Sequence, residues 1–477
     1  MTVISSLLAL TLAVQPAPER IDSGLPIEVV PRLEAAFDAL NAEGFSGVVA
    51  VTYNGEIVFE GGYGAANART GAPFSIDTRV DMGSIVKSFT GMVAAQMIED
   101  GDLNPDLTLG EVFDDVPADK AGITLHQLLT HSAGFPPAVA SDAEEIGRDE
   151  MLERAFASEL RYEPGTDYDY SNTGFSIVAA IIEMRTRRSI EEVVIDDFLA
   201  PAGITHTGYT RVYDLAAPPD DMAYSAGRPL HDIVWGGHAP GWALFGNGGM
   251  VTTLRDLVAW RNAMNAGEIV SAAALDRQQT GYVQEGAGAP SEYGYGVVVE
   301  EHPQFGRIVW HNGGNGYQSA YWGEYTDTGY AIFAATNQLT IDADRAAMAA
   351  VGAIFDVELS LASSPDADWA EPDFTAGPAE AMAGAWVEAL LSGDAAFREA
   401  FVETHMSEGL RDFASMEDHL GMFDQVAGAI AGRQPSGLHA GTDMIALRFA
   451  GEPPVTVELG YEMSDGRAVM NGLGLTD

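Results

Sequence analysis

Strand-like segments stand at both ends of a long stretch that reads as helix and loop, and this layout limits the fold more than any other feature. On the N-terminal side, Phe45–Tyr53 and Glu56–Tyr63 are rich in β-branched and aromatic residues and are separated by Asn54-Gly55. Asn-Gly between two such runs is the strongest short-range hairpin signal. Residues from about 84 to 270 read mostly as helices and loops, rich in Gly, Pro and Asp. Strand patterns return at Tyr293–Glu300, Arg307–Trp310, Tyr317–Tyr325 and Tyr330–Thr336. Distant segments of this kind predict one antiparallel sheet, with helices Ile27–Asn41 and Asp342–Phe355 beside it. The inserted helical part forms a second lobe, and a cleft between the two is where a ligand site is expected. The fold class is therefore α/β in the broad sense and α+β in its layout.

A chain of 477 residues is too long for one ordinary domain. The main domain is expected over 25–358. The Ser-, Pro-, Ala- and Asp-rich segment 359–378 reads as a linker. Beyond it, a helix over Glu380–Phe401 and strands over Asp443–Ala450, Val455–Met463 and Ala468–Leu475 predict a small α+β C-terminal domain over 379–477. At the other end, the apolar run Val3–Val14 precedes Gln15-Pro-Ala-Pro18 and is too short to span a bilayer. It matches the hydrophobic region of a signal peptide over 1–18, although no Lys or Arg precedes it. Periplasmic or secreted localisation is expected on that ground, with no membrane span.

The net charge of −46 argues against nucleic acid and against anionic membranes as partners. The acidic excess is spread along the chain and reads as a solvated surface. Absence of cysteine excludes thiol chemistry and thiolate metal sites. With no His-Glu-x-x-His pair, a metal-dependent hydrolase is disfavoured, and no metal or other cofactor is expected.

The chain has two lysines, Lys87 and Lys120. One of them follows Ser84 by three residues at the start of a helix-like stretch, so both side chains share one helix face. The lysine amine can then reach the serine hydroxyl and take its proton. Read alone, Ser84 is a helix N-cap. Two further motifs follow in order, Tyr170-Ser-Asn172 and His311-Asn-Gly313, and the ordered set points to an acyl-transfer site with Ser84 as nucleophile. No Gly-x-Ser-x-Gly elbow exists, which disfavours an α/β-hydrolase with a Ser-His-Asp triad.

The motif set resembles the serine β-lactamase and penicillin-binding protein superfamily, in its class C-like branch of β-lactamases, D-alanyl-D-alanine carboxypeptidases, D-aminopeptidases and esterases. Leu128-Leu-Thr-His-Ser-Ala-Gly134, Pro164-Gly165, Pro201–Gly208 and Gly248–Asp256 extend the likeness, which runs from about residue 30 to 355. The resemblance implies a β-lactamase-like fold and a catalytic set of Ser84, Lys87 and Tyr170. Lys87 would serve as a neutral base or as a cation, and Tyr170 would shuttle the proton to the leaving group. Asn172, His311 and Gly313 would bind substrate, and the N–H groups of Ser84 and Gly314 would form the oxyanion hole. His311 stands where class C β-lactamases carry lysine, which lowers the case for a true β-lactamase because histidine is only partly charged near neutrality. Gly313 is expected to leave the strand edge open to substrate.

The expected function is a serine hydrolase acting on small esters, amides or D-amino-acid peptides. The alternatives are a penicillin-binding or non-catalytic relative acylated without turnover, and a true β-lactamase. The partner is a small-molecule or peptide substrate, and oligomeric state is not legible.

Overall fold

A computed structural model describes residues 29–477 except 213–220, 226, 230, 231, 233, 287–288, 339, 358–370, 408–410, 412–415, 431, 441–443, 451–454, 465–466 and 477. The expected signal peptide and most of the expected linker lie outside these residues. The chain divides into two compact units, Glu19–Leu359 and Ser360–Asp477. Among the described residues no helix is long and apolar enough to cross a membrane.

In the larger unit, helix α1 (Val29–Ala42) precedes strands β1 (Gly47–Tyr53) and β2 (Glu56–Tyr63). Asn54 and Gly55 take φ 48° and 85°, the paired positive values of a tight hairpin turn. Helices α2 (Val86–Glu99), α3 (Asn172–Thr186) and α4 (Leu254–Ala266) follow. The chain then returns as β3 (Val283–Gln284), β4 (Ser291–Tyr293), β5 (Val298–His302), β6 (Gly306–Gly314), β7 (Ser319–Tyr325), β8 (Tyr330–Thr336) and helix α5 (Ala343–Phe355). The sheet order is β2-β1-β8-β7-β6-β5-β4-β3, and every recorded pairing is antiparallel. The sheet predicted from distant segments is therefore present, joined where Gly47 pairs with Thr336.

Both faces of this sheet are covered, which is why β8 is buried along its whole length. On one face, Tyr325 and Tyr330 pack on Phe355 of α5, and the Arg32 guanidinium of α1 donates to the carbonyls of Ala353 and Ile354 at 2.6 and 3.2 Å. On the other, Trp322 meets Trp260 of α4 edge-on at 5.4 Å, and Trp260 stacks on Phe89 of α2 at 4.3 Å. Helix α2, which starts beside Ser84, is thus fixed to the sheet by large aromatic surfaces.

In this unit two predicted strands differ from the observed ones. The expected strand Tyr293–Glu300 is a hairpin, β4 and β5, because Gly294–Val297 turns with the Gly294 N–H donating to the Val297 carbonyl at 2.8 Å. Gly296 there has φ 73°, and a Cβ on it would fall 2.0 Å from the Lys87 carbonyl oxygen. The turn is therefore seated against the helix that bears Lys87. Strand β6 runs past the expected Trp310 to Gly314, because β7 pairs with it as far as Gly314–Ser319.

The C-terminal unit holds helices α6 (Pro378–Ser392), α7 (Ala395–His405) and α8 (Met416–Ile430), then a sheet of β9 (Pro435–Ala440), β10 (Met444–Phe449), β11 (Val455–Ser464) and β12 (Arg467–Thr476) in sequence order. Its core centres on Trp386, Phe401, Phe423, Leu447, Val457 and Met470. The single helix expected over Glu380–Phe401 is two: Gly393 ends the first at φ 64°, and the Asp394 carboxylate caps the second through the Ala396 N–H.

Candidate active site

Ser84 sits on a short 3-10 turn, Gly83–Ile85, that feeds directly into α2. Asp81 holds this turn: its carboxylate accepts the Gly83 N–H at 2.6 Å, and its own N–H donates to Gln318 Oε1 at 3.0 Å. Burial pushes the Asp81 carboxyl up to about 6, against the stabilising hydrogen bond from Gly83. Gly83 has φ 50°, and a Cβ there would fall 2.4 Å from the Gly314 nitrogen. A Cβ on Gly313 would fall 2.1 Å from the Met82 oxygen and 2.6 Å from the Ser84 nitrogen. Two backbones interlock at this point, and the β6 end with Gly314 lies against the nucleophile turn. A steric demand on Gly313 thus comes from the protein's own chain.

Lys87 is fully buried, and its Nζ lies 2.7 Å from Asn172 Oδ1, 3.1 Å from the Asn247 carbonyl oxygen and 3.2 Å from Ser84 Oγ. Burial drives its pKa well below the ordinary lysine value, and the field of Asp142 opposes this more weakly. Asn172 opens α3, where Ser171 Oγ accepts the Gly174 N–H at 3.1 Å as N-cap. Asn247 is fixed in turn by its Nδ2, which donates to Ser176 Oγ at 2.8 Å and to the Ala243 carbonyl at 2.7 Å.

The Tyr170 ring lies 4.7 Å from Lys87 Nζ, and its buried hydroxyl has no regular hydrogen-bond partner among the described residues. Burial raises its pKa above the usual tyrosine range, with Ser84 the neighbour that pulls it back. Burial weakens the Lys87 ammonium as a partner for a phenolate and favours the neutral phenol of Tyr170.

His311 is buried on β6, its Nδ1 2.5 Å from the Asn312 carbonyl and its Nε2 3.0 Å from the Tyr293 hydroxyl. A carbonyl only accepts, so the proton is assigned to Nδ1, and Tyr293 donates to Nε2. Burial is the main cause that lowers His311 to about 3. The partial charge expected of it near neutrality is absent. Asn312 points to the opposite face of the sheet, where its Nδ2 donates to Asp344 Oδ1 at 3.0 Å.

The structure thus gathers Ser84, Lys87, Tyr170 and Asn172, with His311, Gly313 and Gly314 on the adjoining strand. Asp81, Gly83, Asn247 and Tyr293 were not singled out by sequence. Gly83 directly precedes the nucleophile and Asn247 directly precedes the Gly248-Gly249 segment, so their positions carried a signal. Asp81 and Tyr293 carried none. Among the described residues no group of three or more His, Asp or Glu side chains is placed to hold a metal ion.

A family model described as beta-lactamase matches residues 33–355. Two curated relatives are named D-aminopeptidases. That of Brucella anthropi is 27% identical over 273 residues, covering 55% of this chain and 50% of the relative. That of Gluconobacter oxydans (strain 621H) is 28% identical over 301 residues, covering 59% and 54%. The chain therefore spans about half the length of these relatives. Among solved structures, an octameric penicillin-binding protein homologue from Pyrococcus abyssi aligns at TM-score 0.60 and 19% identity, over 92% of this chain and 95% of that one. A D-amino acid amidase from Ochrobactrum anthropi SV3 complexed with D-phenylalanine aligns at TM-score 0.57 and 23% identity, over 68% and 98%. These two likenesses concern the fold.

Proposed function

The chain belongs to the beta-lactamase family of serine hydrolases, and from that premise we propose that it cleaves small amides, esters or D-amino-acid peptides through an acyl-enzyme on Ser84. One observation carries this reading: the Lys87 amine faces two carbonyl oxygens and the Ser84 hydroxyl. A neutral amine has two hydrogens and one lone pair. Asn172 Oδ1 and the Asn247 carbonyl can only accept, so they take the two hydrogens. The lone pair is left for the Ser84 proton, which makes Lys87 the general base.

Ser84 Oγ then attacks the substrate carbonyl carbon as its proton passes to Lys87 Nζ. Negative charge develops on the carbonyl oxygen, for which the N–H groups of Ser84 and Gly314 serve as donors. Tyr170, neutral at rest, hands a proton to the leaving amine or alkoxide and is reprotonated from the lysine. Water releases the acyl group by the same steps in reverse order.

Substrate preference follows from charge. With His311 neutral, the third motif presents no cation to a substrate carboxylate. Amino-acid amides and esters are favoured over β-lactams and over peptides with a free terminal carboxylate. The names of the D-aminopeptidase relatives and of the amidase structure agree with this choice. The test is hydrolysis of a short-chain nitrophenyl ester and a D-amino-acid amide by wild type and Ser84→Ala. Turnover lost in the variant with its thermal midpoint kept is expected. Wild-type rates in Ser84→Ala overturn the reading, and acylation without product release points instead to a penicillin-binding relative.

A further inference from the structure

His131 has no part in the reaction drawn above, yet the chain around Tyr170 hangs on it. It follows the short helix Leu125–Leu129 and has φ 56°, a left-handed value uncommon outside glycine. Its carbonyl oxygen accepts the Asp169 N–H at 3.0 Å and the Tyr162 hydroxyl at 2.8 Å. Its ring Nδ1 accepts the Ser171 N–H at 3.0 Å. One residue therefore holds the backbone on both sides of Tyr170. The imidazole also lies 4.3 Å from the Tyr170 ring, 4.5 Å from that of Tyr293 and 5.0 Å from that of Phe175, centroid to centroid.

Since Nδ1 accepts, the ring proton is assigned to Nε2, which is buried and has no hydrogen-bond partner among the described residues. Buried donors of this kind are seldom left unpaired in folded proteins. A residue chosen only to fill the space would be apolar and would not strain the backbone. What the position demands is a left-handed backbone together with a ring acceptor aimed at residue 171.

We infer that His131 is a positioning residue for Tyr170, clamping residues 169 and 171 so that the phenol stays beside Lys87 and Ser84. This rests on the reading of Tyr170 as proton shuttle. The neutral ring suits that place, because an imidazolium could not accept the Ser171 N–H. Burial lowers the imidazole well below its ordinary pKa, which favours the neutral ring.

The test is a double-mutant cycle on the full chain with a nitrophenyl ester, using His131→Leu, Tyr170→Phe and both together. His131→Leu is expected to lower kcat about a hundredfold with KM changed less than about threefold. In the Tyr170→Phe background the same change should cost less than about threefold, since nothing is left to position. His131→Asn tolerates the left-handed backbone and offers Oδ1 in place of Nδ1, so it should return kcat to within about tenfold of wild type. If the Leu variant does not fold, His131→Gly replaces it, keeping the backbone unstrained while removing the ring acceptor. Equal losses in both backgrounds, a loss carried by KM, or an Asn variant no better than Leu overturns the inference. A wild-type rate in Tyr170→Phe instead refutes the shuttle reading itself.

Discussion

Glu300 lies on β5 and is 2% exposed, and its Oε2 has no hydrogen-bond partner among the described residues. Burial, and to a lesser degree Glu285, raises its pKa from 4.5 to about 7. Between those two values the folded state holds a proton that the unfolded chain releases. Its contribution is most favourable below the unfolded value, declines as pH rises from about 4.5, and is lost once pH passes about 7. At about 1.4 kcal/mol for each tenfold change in proton affinity, deprotonation costs about 3 kcal/mol of stability at pH 8. Glu300→Gln keeps the shape and cannot ionise. Denaturant midpoints of wild type and variant should match near pH 4 and separate progressively from about pH 4.5, with the variant more stable by about 2–3 kcal/mol at pH 8. Asp81, at about 6, titrates in both proteins, so the difference between them isolates Glu300. Parallel curves from pH 5 to 9 refute the buried-carboxyl argument.

Gly313→Ala puts a methyl 2.6 Å from the Ser84 nitrogen and should lower activity at least about a hundredfold, the scale of one lost oxyanion donor. It should also cost about 1–3 kcal/mol in stability through overpacking. Gly122→Ala, where the added Cβ meets nothing within 4 Å, is the control that should keep the wild-type rate. Salt should stabilise the chain: at net charge −46, raising sodium chloride from about 0.1 to about 1 M shortens the screening length from about 10 to about 3 Å and relieves self-repulsion. A thermal midpoint that stays flat or falls with salt contradicts this.

The sheet and the nucleophile were legible because each depends on local pattern. Asn54-Gly55 specifies its turn without outside help, and Ser84 and Lys87 meet through helix spacing alone. The groups that set the charge state of the site were not legible. The Lys87 pKa is lowered because distant segments, around Asn172 and Asn247, close over its amine, and no window of sequence contains that burial. His311 loses its expected partial charge for the same reason, packed with Tyr293 against it. Strand β6 was read too short because His311-Asn-Gly-Gly314 are poor strand formers, and pairing with β7 overrides propensity. The split between α6 and α7 was written in Ser392-Gly393-Asp394, a stop followed by a cap, within an otherwise helical run.

The pairing of Gly47 with Thr336 also sets a timetable for synthesis. These partners stand about 290 residues apart, so at about 5–20 residues per second the N-terminal hairpin waits roughly 15–60 seconds for the strand that completes its sheet. Until then β1, apolar on both faces, has an open edge. Gly314, which locks the Ser84 turn, arrives in the same late interval, so the nascent chain carries its nucleophile long before it can use it.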